Sequence, residues 1–566
     1  MEKKTQNWWD KLGKPQYGGE MTIRIHTDIN IFDPYYTGHH FQVYSTWTEQ
    51  LFADDWTTDP DVYGYKIGFH PSQFVKGFLA EGGEFQDATT YVVHLRKGIH
   101  WQNRPPVNGR EFTADDVVFH YHRLYGLGSG FIKPVPAHTS DSIYKNLVSV
   151  TAADRYTVIF KWKSSNPEFV METLVGNHGP TACIEASEAV EKWGVLNDWH
   201  YAVGTGPFIL QDFMPGKSAT FVRNPDYWGH DERYPQNQLP YVDKLNILII
   251  PEDAEAVELL RAGKLDVLEG LSLPQTLDIG KTNPELVRFS RPRVSCDTLD
   301  PRNDVPPFND IRVRKALQLA IDLPAIVKTY YGGTVDPYPQ SLTTSAMKGW
   351  GFPYEEWPRE LKAEYAYNPE AAKQLLADAG YHHGFKTHIV TEGTQNLALL
   401  QIIKGYFSAV GIEMEIRPMD SEAWVAFCRT SRKYDQMVNR HGAGALGMVS
   451  EPLNHLERFR AGFPANYSMV NDPVFESFYN RALSVTGIDE FKQIVRNANE
   501  YVARQHFAIS LVQPNLFGFT QPWLKGYSGQ FGAQTNHNEL LSFYLSRFWI
   551  DGDLKKSIAH QGYCFP

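Results

Sequence analysis

The chain has 566 residues, of which 42% are hydrophobic and 21% charged, and its formal net charge is −11 at pH 7. That length exceeds a single hydrophobic core, so two or three domains of an ordinary globular protein are expected. The acidic balance and the lack of any Lys/Arg cluster exclude a nucleic-acid partner, and no apolar run approaches the roughly 18 residues of a membrane-spanning helix.

Residues 1–17 are polar, with no apolar stretch of the signal-peptide kind and no cysteine to carry a lipid. Met21, Ile23 and Ile25 then alternate as a strand pointing into residues 28–34, and Tyr91, Val93 and Leu95 alternate again. Thr113 and Asp116 are spaced as a capping pair for a helix carrying Val117, Tyr121 and Leu124. Residues 207–213 and 218–223 read as two strands turned by Pro215-Gly216. Asn224-Pro225-Asp226 forces an extended exit, closed by the aromatic pair Tyr227-Trp228. Leu245, Ile247 and Ile249 form a strand, followed by a helix over 254–262 stopped by Gly263 and a strand at 266–268. Residues 312–331 place Val313, Ala316, Leu317, Ala320 and Ile321 on one helical face. Asn368-Pro369 caps another helix that Gly380 ends, and 397–410 is a third, stopped by Gly411 before a strand at 413–417. A further strand is expected at 434–439.

Several motifs point to chemistry and fail on context. His441-Gly442-Ala443-Gly444-Ala445-Leu446-Gly447 satisfies the dinucleotide pattern, but Ser450-Glu451-Pro452 follows at once and no helix opens inside it. A glycine-rich loop beside a pocket explains it better. His120 and His122 point about 200° apart on a helix and cannot share a metal. The acid pairs Asp54-Asp55 and Asp115-Asp116 read as solvated faces or caps, and neither HExxH nor GxSxG occurs. Cys183, Cys296, Cys428 and Cys564 are scattered, so they build neither a zinc site nor a disulfide scaffold. One long-range disulfide stays open for an oxidising compartment. Aromatic residues reach 14%; most are core, and the surplus suits a surface that closes on a ligand.

Four separated blocks carry a family resemblance. They are residues 95–124, with Phe112-Thr113-Ala114-Asp115-Asp116-Val117; residues 204–229, opening Gly204-Thr205-Gly206-Pro207-Phe208; Val313-Arg314-Lys315-Ala316-Leu317 with Ala320-Ile321-Asp322; and Asn368-Pro369-Glu370-Ala371-Ala372. In this order, over residues 18–549, the chain resembles the extracellular solute-binding proteins of ABC importers that take peptides, nickel or oligosaccharides. It departs locally at 102–109, an insertion where the family has a short Asp-Gly turn. The resemblance implies an α/β fold of the periplasmic-binding-protein type II kind, two lobes joined by a two-strand hinge, with an extra inserted domain. It divides the chain into a leader (1–17), a discontinuous domain I (18–48, 200–292 and 512–566), an inserted domain II (49–199) and domain III (293–511). The extended segments 291–297 and 508–514 become the hinge, with Arg293, Cys296, Val512 and Gln513. A solute would be trapped between the lobes and handed to an ABC permease, without catalysis, cofactor or metal, by a monomer. The location implied is periplasmic or extracellular, with a membrane tether in the precursor and Met1 opening a mature form. An extracellular hydrolase is the alternative from another class.

The cargo is read from residues near the expected cleft. Peptide-binding relatives carry an Asp that takes the ligand's ammonium in a loop after a Tyr-Asp strand; here Tyr434-Asp435 is present, but Met448 stands at the Asp position. A free-amine peptide would lose a charge-paired anchor worth about 3–5 kcal/mol unless Glu451 replaces it. Arg440, between Asn439 and His441, suits a carboxylate, phosphate or sugar hydroxyl, or braces a neighbouring domain. Thr391 and Glu392 end another strand of the same domain. Asp28, Trp47 and Trp56 lie on segments that face the cleft in relatives, and Trp424 starts a helix near the same wall; packing explains each tryptophan at least as well. Ligand contacts are therefore expected at Asp28, Trp47, Trp56, Thr391, Glu392, Trp424, Asn439, Arg440, His441, Met448 and Glu451. A peptide or peptide-like solute comes first, as the family's commonest cargo; an oligosaccharide is the alternative, favoured by Met448 and the tryptophans.

Overall fold

A computed structural model describes residues 7–33, 35, 43–133, 146–176, 182–293, 297–393, 397–439, 451–533 and 540–560. The chain divides into two compact units, Met1–Arg291 with Leu516–Pro566, and Pro292–Asn515.

In the first unit the alternation at Met21, Ile23 and Ile25 buries all three side chains. Their strand, Glu20–Ile25, pairs in parallel with Lys244–Ile249, setting Met21 beside Leu245 and Ile23 beside Ile247. Ser218–Arg223 and then Phe208–Met214 complete this sheet in antiparallel fashion. The turn between them closes where Lys217 N–H donates to Met214 O at 3.0 Å, with Gly216 in the left-handed region. Upstream, Gly204 and Gly206 lie against the Trp47 backbone. A Cβ on Gly204 would fall 1.9 Å from Trp47 O, and Gly206 N–H donates to that same oxygen at 3.0 Å. The insertion at 102–109 packs on this block: Gln102 Nε2 donates to Phe208 O at 2.8 Å and Arg104 Nη1 to Leu210 O at 3.0 Å.

A second sheet in this unit is antiparallel, ordered Ala80–Asp87, Thr90–Leu95, Thr157–Trp162, Leu147–Asp154. Packed with it is the helix Ala114–Tyr125, which opens where Thr113 N–H donates to Asp116 Oδ2 at 2.9 Å. Its two histidines diverge as the helical spacing requires. His120 is buried against Glu185, and His122 Nε2 donates to Val150 O at 2.8 Å. The helix Asp253–Arg261 ends before Gly263, which is left-handed, and leads into the strand Val267–Leu271. That strand joins a three-stranded sheet in which Asn515–Thr520 and Val287–Pro292, the segments that run to the second unit, are hydrogen-bonded neighbours.

The second unit is built on a five-stranded sheet, ordered Ile412–Met419, Phe385–Glu392, Met437–Asn439, Thr298–Pro301, Ile509–Ser510. The first three strands are parallel and Thr298–Pro301 runs against its neighbours. The expected single helix over 312–331 is two helices, Ile311–Leu319 and Leu323–Thr329. Pro324 lacks the N–H to continue the first helix, and Asp322 caps the second by accepting Ala325 N–H at 2.9 Å. The face was read correctly: Val313, Ala316, Leu317, Ala320 and Ile321 all enter the core with Phe407 and Ile403 of the helix Leu397–Ala409. Asn368 caps Pro369–Asp378 through Ala371 N–H at 3.0 Å.

Candidate functional site

The second unit gathers polar side chains along one edge of its sheet. Because three strands are parallel and the next runs opposite, the carboxyl ends of Phe385–Glu392 and Met437–Asn439 meet the amino end of Thr298–Pro301 and the carboxyl end of Ile509–Ser510. In open α/β sheets ligands bind outside the carboxyl ends of the strands, and three such ends lie along this edge.

Thr391 and Asn439 are register partners there and both are fully buried. Thr391 Oγ1 donates to Asn439 Oδ1 at 3.2 Å, and Asn439 Nδ2 donates to Thr298 O at 2.9 Å. Thr298 Oγ1 in turn accepts Arg458 Nη2 at 2.7 Å and donates to Asp300 Oδ2 at 3.1 Å. Arg458 pairs with Asp300 at 3.2 Å, and Ser468 Oγ donates to the same carboxylate at 3.2 Å. An ion pair so enclosed holds its geometry, because losing either partner leaves a charge in a poor solvent. Thr298, Asp300 and Arg458 escaped the sequence reading. Their link spans some 158 positions, and the local signal was no more than an Asp beside Leu299 in a short strand.

Beyond Ser510 the chain passes Gln513 and Asn515 on its way to the first unit. Gln513 Nε2 donates to Arg293 O at 2.7 Å, and Arg293 N–H donates to Pro514 O at 2.8 Å, so the two crossing segments are tied together. Arg293 also reaches Asp297 at 3.2 Å, and Val512 is buried in the core beside Leu511. These tied segments border a cleft of about 330 Å³ lined by Thr334, Asp336, Gln340, Ser345, Gln513 and Asn515. Asp336, Gln340 and Ser345 also line a second, adjoining cavity of about 280 Å³ beside Tyr338, Tyr354 and Arg496. Amide, hydroxyl and carboxylate groups side by side suit a solute with many donors and acceptors.

Other expected contacts lie elsewhere. Glu392 is half-buried and accepts Ser421 Oγ at 2.5 Å. Glu451 is not an open carboxylate: it caps the helix Pro452–Glu457, accepting Leu453 N–H at 2.9 Å and Asn454 N–H at 3.0 Å. Its role as a replacement anchor is corrected to that of a cap. The three tryptophans are corrected likewise, since each is packed within its own unit. Trp47 stacks on Phe221 and meets Tyr44 edge-on; Trp56 sits among Trp8, Tyr544 and Phe548 with the Arg233 guanidinium 4.3 Å above its ring; Trp424 is in a core with Val390, Val438 and Tyr467. None offers a face for stacking. Asp28, in the first unit, is half-buried and accepts Ile29 N–H at 2.8 Å. Cys296, Arg440, His441 and Met448 lie outside the described residues. Cys183 is buried, with its Sγ donating to Gln50 Oε1 at 3.5 Å, and Cys428 is buried in the second unit. Among the described residues no group of three His, Cys, Asp or Glu side chains could hold a metal ion, and no helix is long and apolar enough to cross a membrane.

Comparison with known proteins places this geometry in context. The model of the bacterial extracellular solute-binding proteins, family 5, matches residues 75–459, more than half the chain. The heme-binding protein A of Haemophilus influenzae is 24% identical over 492 residues, covering 82% of this chain and 84% of that protein. The glutathione-binding protein GsiB of Shigella flexneri is 27% identical over 358 residues, 63% of each chain. Among solved structures, the ABC transporter-associated periplasmic binding protein DppA of Helicobacter pylori, in complex with the peptide STSA, superposes with a TM-score of 0.68 at 21% identity. It covers 95% of this chain and 99% of that one. At that identity the likeness is one of fold: a mixed α/β protein of the periplasmic-binding-protein type II kind.

Proposed function

Since the chain belongs to the bacterial extracellular solute-binding proteins of family 5, we propose that it captures a peptide or peptide-like solute and delivers it to an ABC permease. The observation that carries this reading is the polar edge of the second unit. Thr334, Gln340, Gln513 and Asn515 line a cleft of about 330 Å³ beside the two segments that cross to the first unit. A peptide backbone is a row of alternating donors and acceptors, and amide side chains answer both. Solute bound next to the crossings favours whichever hinge state lets it make more contacts, so binding and closure are coupled as a population shift. Delivery to the permease then needs no chemistry from this chain, which works as a monomer outside the cytoplasmic membrane.

The oligosaccharide alternative rested partly on tryptophan faces, and Trp47, Trp56 and Trp424 are packed inside their units. Native mass spectrometry of the purified protein, followed by calorimetry with defined di- to pentapeptides and with cello-oligosaccharides, tests the reading. Retained or added peptide with saturable binding is the expected result. Saturable binding of the oligosaccharides with none of the peptides would overturn it.

A further inference from the structure

The cavity of about 280 Å³ on the second unit is not accounted for by a site for peptide backbone. Its floor is the pair Tyr338 and Tyr354, whose rings stack 4.7 Å apart at 14°. Tyr354 is backed by Trp357, which is buried against Tyr365, and Lys362 Nζ lies 5.3 Å from its ring centroid. Tyr338 presents its ring to solvent, at 37% exposure. A large aromatic held flat and left open offers stacking at little entropic cost, because its own order is already supplied by its neighbours.

The wall of the cavity is equally fixed. Asn499, fully buried on the helix Ile488–Gln505, clamps it: Thr343 N–H and Oγ1 donate to Asn499 Oδ1 at 2.8 and 3.0 Å, and Ser341 Oγ donates to Asn499 O at 2.6 Å. Arg496, one turn away, donates to Gly351 O at 2.9 Å. The cavity therefore exists before any ligand arrives. It also adjoins the polar cleft, since Asp336, Gln340 and Ser345 line both.

We propose that this cavity is a side-chain subsite that takes an aromatic side chain of the peptide, stacked on Tyr338, while the backbone lies in the adjoining cleft. The inference rests on the peptide reading and adds the class of residue selected. Its volume of about 280 Å³ is ample for an aromatic side chain, and the shared lining residues supply the polar edge where backbone gives way to ring.

The test is calorimetry on the full chain with tetra-alanine and the four tetrapeptides carrying one Phe in an alanine background. At least one Phe position should bind about tenfold more tightly than tetra-alanine. Tyr338→Ala should abolish that preference, so that no Phe peptide binds more tightly than tetra-alanine; Tyr338→Phe, which keeps the ring, should retain it. Unchanged circular dichroism and melting temperature would show that both variants fold. Binding of all five peptides with equal affinity, or a Phe preference that survives Tyr338→Ala, would overturn the subsite and leave the peptide reading standing. If none of the peptides binds, both fall.

Discussion

His455 shows how burial dominates the protonation of a side chain near the polar edge. Its Nδ1–H donates to Leu342 O at 3.1 Å, and desolvation, aided by the Arg458 charge, lowers its pKa to about 4. In the unfolded chain the ordinary value near 6.5 returns, so below that pH the unfolded state binds a proton that the folded state refuses until about pH 4. Stability from this group is thus retained above pH 6.5 and lost as the pH falls from 6.5 toward 4, about 3 kcal/mol in all and about 2 kcal/mol by pH 5. His455→Asn keeps a donor for Leu342 O without a titrating ring. Urea midpoints at pH 7.5 and 5.0 should therefore fall less for the variant than for the wild type; an identical fall would refute this account. The same residue scale explains which site residues were legible. Thr391 and Asn439 each follow an apolar pair, Ile389-Val390 and Met437-Val438, near a strand end, and that pattern is visible in sequence. Trp47, Trp56 and Trp424 were expected at the cleft from where their segments lie in the family; their burial depends on partners such as Phe221, Tyr544 and Tyr467 that sequence does not place beside them.

At the level of elements, local chemistry proved a sound guide wherever a cap or turn residue marks a boundary. Asn368, Gly263 and the Pro215-Gly216 turn all fall where the structure ends or opens an element, and Ser218–Arg223 is the strand that was expected. The helix over 312–331 was misjudged because a continuous apolar face masks an interruption whose cause, Pro324, disturbs the backbone but not the face. The block at 204–229 gains a physical reason for its glycines. Gly204 and Gly206 let two backbone segments touch at Trp47 O, and Gln102 N–H and Asn224 Nδ2 then satisfy their carbonyls at 2.9 and 3.2 Å. Alanine at 204 would have to displace backbone rather than a side chain, because the obstructing atom is a carbonyl oxygen. Gly204→Ala should destabilise the chain by about 2–4 kcal/mol, within the range of steric and packing defects, whereas Gly216→Ala, at an open turn, should cost about 1 kcal/mol through its backbone conformation alone. Chemical denaturation of the two variants decides this; equal losses would mean that the contact with Trp47 does not matter.

On the scale of the whole molecule, the second unit is one continuous stretch, Pro292–Asn515, while the first is interrupted by it. The stretch carries what a folding unit needs. Its main core joins Leu299, Leu317, Ile403, Phe407 and Ile509, a second cluster surrounds Trp424, and the enclosed pair of Asp300 and Arg458 lies with its partners inside the same unit. Its two ends are fastened to each other, through Arg293 N–H to Pro514 O and Gln513 Nε2 to Arg293 O, so cutting the chain there frees no long loop. Residues 292–515 expressed alone should therefore fold, giving a cooperative thermal transition and a dispersed amide spectrum. The tetrapeptide site proposed on this unit should survive in the fragment with weaker affinity, because a fragment without the first unit cannot undergo the proposed hinge closure. A fragment that melts without cooperativity would show that the second unit draws its stability from the rest of the chain. The peptide panel on the intact protein would then remain the measure of the site.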